Sequence, residues 1–144
     1  MLRSNGTRIA LAALVSFISV SYAIAQEKAQ PLEAGTFHGK VHKTSGRATI
    51  YKEADGQLVL RLTNFKTSNG PDVHVVLIAA KDADDDANFL KNSTEKLELG
   101  ALKGNEGDQN YDIPAGADID KFQTVSIYCE RFNANFGAAP LKKL

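Results

Sequence analysis

The sequence predicts an all-β domain, a single antiparallel β-sandwich of about seven or eight short strands. Two observations favour this fold class. From Gly35 onward, short apolar or alternating runs recur and turn-forming residues separate them, which is the pattern of strands and not of amphipathic helices. Between two of these runs stands Asp55-Gly56, a pair typical of tight hairpins because both residues tolerate positive φ.

The N-terminal segment has the features of a secretory signal peptide. Arg3 and Arg8 give it a positive start, an apolar run follows, and Ala23-Ile24-Ala25 supplies the small-x-small pattern of a cleavage site. We therefore expect cleavage after Ala25 and export of the remaining chain to a periplasmic or extracellular location. The predicted division is residues 1–25 as signal peptide, 26–34 as a flexible lead-in and 35–144 as the folded domain.

The composition of the mature chain argues against several classes of partner. Removing Arg3 and Arg8 with the signal leaves fifteen basic against seventeen acidic side chains, a formal net charge of −2. Nothing in that balance favours nucleic acid or an anionic bilayer. We expect no membrane span after cleavage, and a monomer. The sequence contains no nucleophile elbow, zinc motif or paired-carboxylate signature of a hydrolase, so whether the protein is an enzyme stays open.

Four strands are predicted in the first half of the domain. Taken as a two-residue hairpin, the Asp55-Gly56 turn places Tyr51 opposite Leu60. Leu58, Leu60 and Leu62 then share one face, which we assign to the core. The four strands are GTFHGKVH, SGRATIYKE, QLVLRLTNF and, after a Gly-Pro turn, DVHVVLIAA.

The second half begins with a polar segment, residues 81–96, in which a short helix is predicted around 84–91. Two short strands follow, and Pro114 ends the second of them. The last predicted strand is QTVSIYCERF. Many short strands separated by turn signals are typical of a sandwich and not of a parallel α/β sheet.

The last strand carries Cys129, the single cysteine of the chain. Cys129 alternates in phase with Val125 and Ile127, so the thiol is predicted to point into the core. After it the apolar residues change register, since Phe132 and Phe136 fall on the other phase. An inserted residue at a β-bulge near Glu130-Arg131 would keep the phenylalanines inward.

Two interpretations of this cysteine stay open. A cysteine in phase with valine and isoleucine is most often a small core hydrophobe. In an exported protein, however, an odd thiol risks unwanted cross-linking, which favours a reactive or ligating role.

The three histidines, His38, His42 and His74, provide little for a metal. Blue copper needs two histidines, a cysteine and usually an axial methionine, but no histidine follows Cys129 and the mature chain lacks methionine. We therefore predict no metal site. Covalent haem is excluded because C-x-x-C-H is absent. Haem held by the Cys129 thiolate with a histidine opposite stays open, and the cofactor is left unknown.

Four stretches of the sequence resemble the DM13 domain family of exported and cell-surface proteins: GTFHGKVHKTSGRATIY, LTNFKTSNGPDVHVVL, LGALKGNEGDQNYDIP and VSIYCERFNANFGAAPL. The resemblance implies extracytoplasmic electron transfer through a signature cysteine, which falls on Cys129, as a free thiol or as a ligand of haem or another cofactor. The residues predicted to assist Cys129 at this redox or cofactor site are His42, His74 and Asp72. The partner would be a separate redox or DOMON-like protein. The alternative is a non-catalytic secreted binding module whose cysteine only packs.

Overall fold

The computed structural model describes residues 28–83 and 95–144, and in them the chain forms an antiparallel β-sandwich, which confirms the predicted fold class. The predicted signal peptide and the predicted helix around 84–91 lie outside the described residues. One short 3₁₀ helix spans Ile119–Lys121. The strands are β1 (Gln30–Thr36), β2 (His38–Gly39), β3 (Ser45–Lys52), β4 (Leu58–Lys66), β5 (Val73–Ile78), β6 (Lys96–Ala101), β7 (Gln109–Asp112), β8 (Thr124–Cys129), β9 (Ala134–Pro140) and β10 (Lys142–Lys143).

Two five-stranded sheets face each other. The first has the order β10-β1-β3-β4-β7 and the second the order β2-β9-β8-β5-β6. Each strand pair in them is antiparallel. No helix of the described residues has the length and apolar character needed to cross a bilayer.

The core lies between the two sheets and is built by alternate residues of the central strands, as the alternating pattern requires. Burial of these apolar side chains is the main stabilising contribution of the sandwich. The fully buried members on the central strands are Ala48, Ile50, Leu60 and Leu62 of the first sheet and Val75, Leu77, Val125, Ile127 and Cys129 of the second.

The hairpin between β3 and β4 has a longer turn than predicted. The amide of Gly56 donates to the carbonyl of Glu53 at 2.9 Å, and the amide of Glu53 donates to the carbonyl of Gln57 at 2.8 Å. Gly56 adopts a φ of +88°, so this is a three-residue loop closed by a glycine bulge. Leu60 consequently lies opposite Ile50, and the predicted pairing with Tyr51 is wrong by one residue.

Strand β1 begins at Gln30, inside the segment that the sequence assigned to a flexible lead-in. It is paired on both sides, with β3 and with β10. Its sequence has no apolar alternation, so no strand was predicted there. Backbone hydrogen bonds to the two neighbouring strands hold it in the sheet. The C-terminal residues thus complete the first sheet.

Gly35 of β1, in the first sheet, lies directly against Pro140 of β9, in the second. A Cβ on Gly35 would lie 2.0 Å from the carbonyl oxygen of Pro140. Since the obstructing atom belongs to the backbone, no side-chain rotation can relieve the clash. Only glycine permits this approach.

We expect Gly35→Ala to lower the free energy of unfolding by about 1–3 kcal/mol, the usual penalty for overpacking. Gly104→Ala is the matched control, because its nearest neighbour would lie 3.7 Å from the added carbon; it should change stability by at most about 0.5 kcal/mol. Urea denaturation followed by circular dichroism measures both. Equal midpoints for the two variants would contradict the close approach.

Candidate functional site

Cys129 is the last residue of β8, and its side chain is fully buried in the core cluster. The prediction that the thiol points inward is confirmed. Its neighbours across the sheet are Val73 on β5 and Ala134 on β9. A turn follows at once, with the amide of Asn133 donating to the carbonyl of Glu130 at 3.2 Å. The sulfur therefore lies at an end of the sandwich and not in the middle of a strand.

The register change after Cys129 comes from this turn, so the predicted single strand with a bulge near Glu130-Arg131 is wrong. Asn133, with a φ of +47°, completes the reversal into β9. Phe132 lies at the tip of the hairpin with 63% of its surface exposed. A bulge does exist, but on β9, where Phe136 is the extra residue between the partners of Ile127 and Tyr128.

The aromatic ring of Phe136 helps to close the core at the cysteine end. His42 packs its ring edge-on against that ring, with centroids 4.3 Å apart. Gly70, in the turn before β5, also approaches the ring of Phe136 closely. A Cβ added to Gly70 would lie 2.9 Å from Phe136 Cζ and 2.6 Å from Val73 Cγ2. The turn at Gly70 thus lies directly on the cross-strand neighbour of Cys129. His42 therefore lies at the cysteine end of the core as a packing partner of Phe136.

His74 and Asp72 lie on the opposite face of the second sheet. His74 follows Val73 in β5, and its cross-strand partner is Tyr128, the neighbour of Cys129. Successive residues of a strand point to opposite faces. The structure therefore brings His74 and Asp72 together but separates both from the thiol.

The imidazole of His74 is held by carboxylates on both of its nitrogens. Nε2 lies 2.8 Å from Asp72 Oδ1, and Nδ1 is hydrogen-bonded to Glu98 Oε1. The side chain is 16% exposed. Glu98 and the neighbouring Glu130 were not predicted, because their place beside His74 depends on the register of β5 with β6 and β8 and not on any local motif.

The pKa of His74 is raised above the ordinary imidazole value of 6.5. Burial acts to lower this pKa, but the hydrogen bonds to Asp72 and Glu98 and the negative charges of Glu98 and Glu130 outweigh it. The protonated ring is therefore the better partner for the surrounding carboxylates.

A shallow cleft of about 350 Å³ opens beside this end of the sandwich. Its walls are residues 69–73 and residues 101–105. The first wall contains the Gly70-Pro71-Asp72 turn, and the second contains Leu102-Lys103-Gly104. Val73 lines the cleft, whereas Cys129 does not.

A haem held between Cys129 and His74 does not fit this arrangement. The sulfur is fully buried, and His74 lies across the sheet from it, so the two cannot ligate the faces of one haem.

The fold and the thiol define a class: an all-β sandwich domain with one free, internal cysteine. The family model described as "Electron transfer DM13" matches residues 36–141, and the chain therefore belongs to the DM13 family, a family of electron-transfer domains. No curated protein and no solved structure matches it.

We expect the His74 ring to titrate above pH 6.5. A raised folded-state pKa means that the stabilisation by the charged ring is complete below pH 6.5 and is lost as the pH rises through the folded value. Glu98→Gln should move the pKa back towards 6.5, because it removes one of the charges that raise it. An NMR titration of the ring protons measures both proteins.

Glu53→Gln is the matched control for this titration, since Glu53 lies in the exposed β3–β4 turn. It should leave the pKa of His74 unchanged. Identical titration curves for wild type and Glu98→Gln would contradict the assigned cause.

Proposed function

We propose that this chain is an exported electron-transfer domain that relays electrons by thiol–disulfide exchange at Cys129 with a separate, disulfide-bearing redox protein. The observation that carries the proposal is the position of the thiol. Cys129 ends its strand at the edge of the core, directly before a turn, in a domain of an electron-transfer family. Family membership supports the redox role, and the position of the thiol supports Cys129 as the residue that performs it.

The turn that packs on Val73, the cross-strand neighbour of Cys129, is suited to local opening. The turn Asn69-Gly70-Pro71 contributes no large apolar side chain, and the side-chain amide of Asn105 donates to Asn69 Oδ1 at 2.7 Å. Backbone hydrogen bonds hold the segments on either side of the turn. The amide of Thr67 donates to the carbonyl of Asn105 at 2.8 Å, and the amide of Glu130 donates to the carbonyl of Asp72 at 2.9 Å. Segments with few buried apolar contacts open at a lower free energy than the whole domain.

The proposed exchange balances in two steps. In the first, the Cys129 thiol loses its proton and the thiolate attacks a partner disulfide; a new S–S bond forms, and the partner's second sulfur leaves as a thiolate and takes a proton. In the second, a dithiol protein attacks the mixed disulfide, becomes a disulfide itself and releases the first partner's remaining thiol together with Cys129. Two electrons have then passed from the dithiol to the original disulfide.

A second function is favoured by one observation, the complete burial of the sulfur in the apolar cluster. In it the chain is a non-catalytic secreted binding module, and Cys129 only fills space. Cys129→Ser would then destabilise the domain, because a hydroxyl replaces an apolar group in the core, and would change no redox reaction.

We expect the folded domain to accept one glutathionyl group from oxidised glutathione at Cys129 and to lose it again to dithiothreitol. Mass spectrometry follows both steps, with circular dichroism to confirm that the protein stays folded. Gly70→Ala should accelerate the reaction about tenfold, because overpacking of about 1–3 kcal/mol favours the open turn. Gly104→Ala, on the opposite wall of the cleft, should react like wild type.

Cys129→Ser is the negative control and should take up nothing. The non-catalytic alternative is favoured if the wild type reacts no faster than it unfolds globally. Gly70→Ala should then also react no faster than its own rate of global unfolding. Titration with haem is a further test, in which we expect the same absorption spectrum for wild type and Cys129→Ser. A difference between the two spectra would favour haem ligation by Cys129 over thiol exchange.

Export is proposed from the basic start and the apolar run before Ala25. We expect the protein isolated from its own cells to begin at Gln26, with the mass of residues 26–144. Replacing Ala25 with tryptophan should block the cleavage, because the peptidase requires a small residue there. Intact mass spectrometry measures the terminus, and an uncut chain in the wild type would contradict the proposal.

A further inference from the structure

We propose that Asp72, His74 and Glu130 bind a first-row divalent cation on the outer face of the second sheet, with Glu98 orienting the imidazole. This site is separate from the thiol and does not depend on the proposed exchange at Cys129. The sequence predicted no metal site, because no local spacing of ligands indicates one.

The ligand atoms are already close together. One atom from each of Asp72, His74 and Glu130 lies within 4.8 Å of the others. A cation held at about 2.0–2.2 Å from nitrogen and oxygen in tetrahedral geometry needs ligand atoms roughly 3.4 Å apart. The 2.8 Å between His74 Nε2 and Asp72 Oδ1 would therefore widen slightly as the metal replaces the proton between them.

The backbone fixes two of these ligands opposite each other. Val73 pairs with Cys129, and the amide of Glu130 donates to the carbonyl of Asp72 at 2.9 Å, so the ladder extends one residue beyond the strands. Asp72 and Glu130 are thus cross-strand neighbours. Like charges in that position are destabilising unless a cation lies between them.

The charge of the cluster favours a divalent ion. Three carboxylates, those of Asp72, Glu98 and Glu130, surround one imidazole. No lysine or arginine within 28–83 or 95–144 forms an ion pair with any of the three. The Asp72 side chain is 42% exposed, so an ion can enter from solvent without opening the fold.

Glu98 completes a carboxylate–histidine–metal arrangement. A metal-binding histidine usually donates its second ring N–H to a carboxylate, which fixes the tautomer and the ring orientation. When His74 Nδ1 donates to Glu98, the lone pair of Nε2 faces Asp72 and is free for a metal. Glu98 is therefore a positioning residue and not a ligand.

The donor set limits the choice of metal. One imidazole nitrogen and two carboxylate oxygens suit borderline Zn²⁺ or the harder Mn²⁺, whereas soft Cu⁺ prefers sulfur ligands. The remaining coordination positions would face solvent, because Glu130 is exposed. The site resembles an open metal centre more than a closed structural one.

Calorimetry with ZnCl₂ as the probe tests the site, on the chelator-treated protein without a histidine tag. We expect one Zn²⁺ per chain, and weakening of at least tenfold in Asp72→Asn and in Glu130→Gln. Glu98→Gln should weaken binding about tenfold, the usual effect of losing an orienting partner. Glu106→Gln is the matched control, because this exposed glutamate lies near Lys66 on the other sheet, and it should bind like wild type.

NMR of the ring nitrogens separates coordination from a general charge effect. Zn²⁺ should shift the His74 Nε2 resonance while Nδ1 stays protonated, and Cys129→Ser should bind with unchanged affinity. The proposal is overturned if wild type takes up no Zn²⁺, or if Asp72→Asn and Glu130→Gln bind as tightly as wild type. Loss of binding in a Cys129→Ser protein that circular dichroism shows to be folded would overturn it too, since the site would then depend on the thiol.

Discussion

The antiparallel pairing of β5 with β8 is the constraint on which both candidate sites depend. This ladder runs from Val73 opposite Cys129 to Ile78 opposite Thr124, at the centre of the second sheet. Because side chains alternate across the sheet, one register sends the thiol into the core and the imidazole outward. The same hydrogen bonds extend to Glu130 and align the carboxylates around His74. Packing of the inner face against the first sheet then fixes the register.

The two faces offer chemically different environments. On the inside, Cys129 is fully buried among apolar side chains. On the outside, His74 is surrounded by negative charge and remains in contact with solvent. A domain of this size can keep a protected thiol and an exposed polar cluster within a few residues of each other only because a sheet separates them. The loop at Gly70 touches both regions, since Asp72 follows it and Phe136 lies beneath it.

The sequence was sufficient for the fold class and for the direction of the thiol, and physical reasons explain the rest. Cys129 continues the alternation of Val125 and Ile127, which is a local pattern. The hairpin after it was missed because no glycine or proline marks the turn, and Asn133 alone accepts the positive φ. Glu98 and Glu130 reach His74 through the pairing of three strands, which no local spacing encodes. Strand β1 lacks an apolar alternation, so its pairing with two neighbouring strands could not be predicted from its sequence.

The strict alternation of β8 has an evolutionary consequence. Deleting one residue between Val125 and Cys129 would turn the sulfur to the outer face of the second sheet and drive the acidic side chain of Glu130 into the sandwich. Insertions and deletions in this strand should therefore be purged by selection far more strictly than point substitutions. Length changes in the lineage should collect in peripheral connections instead, such as the turn after Lys52, where one added residue inverts no face of the sheet.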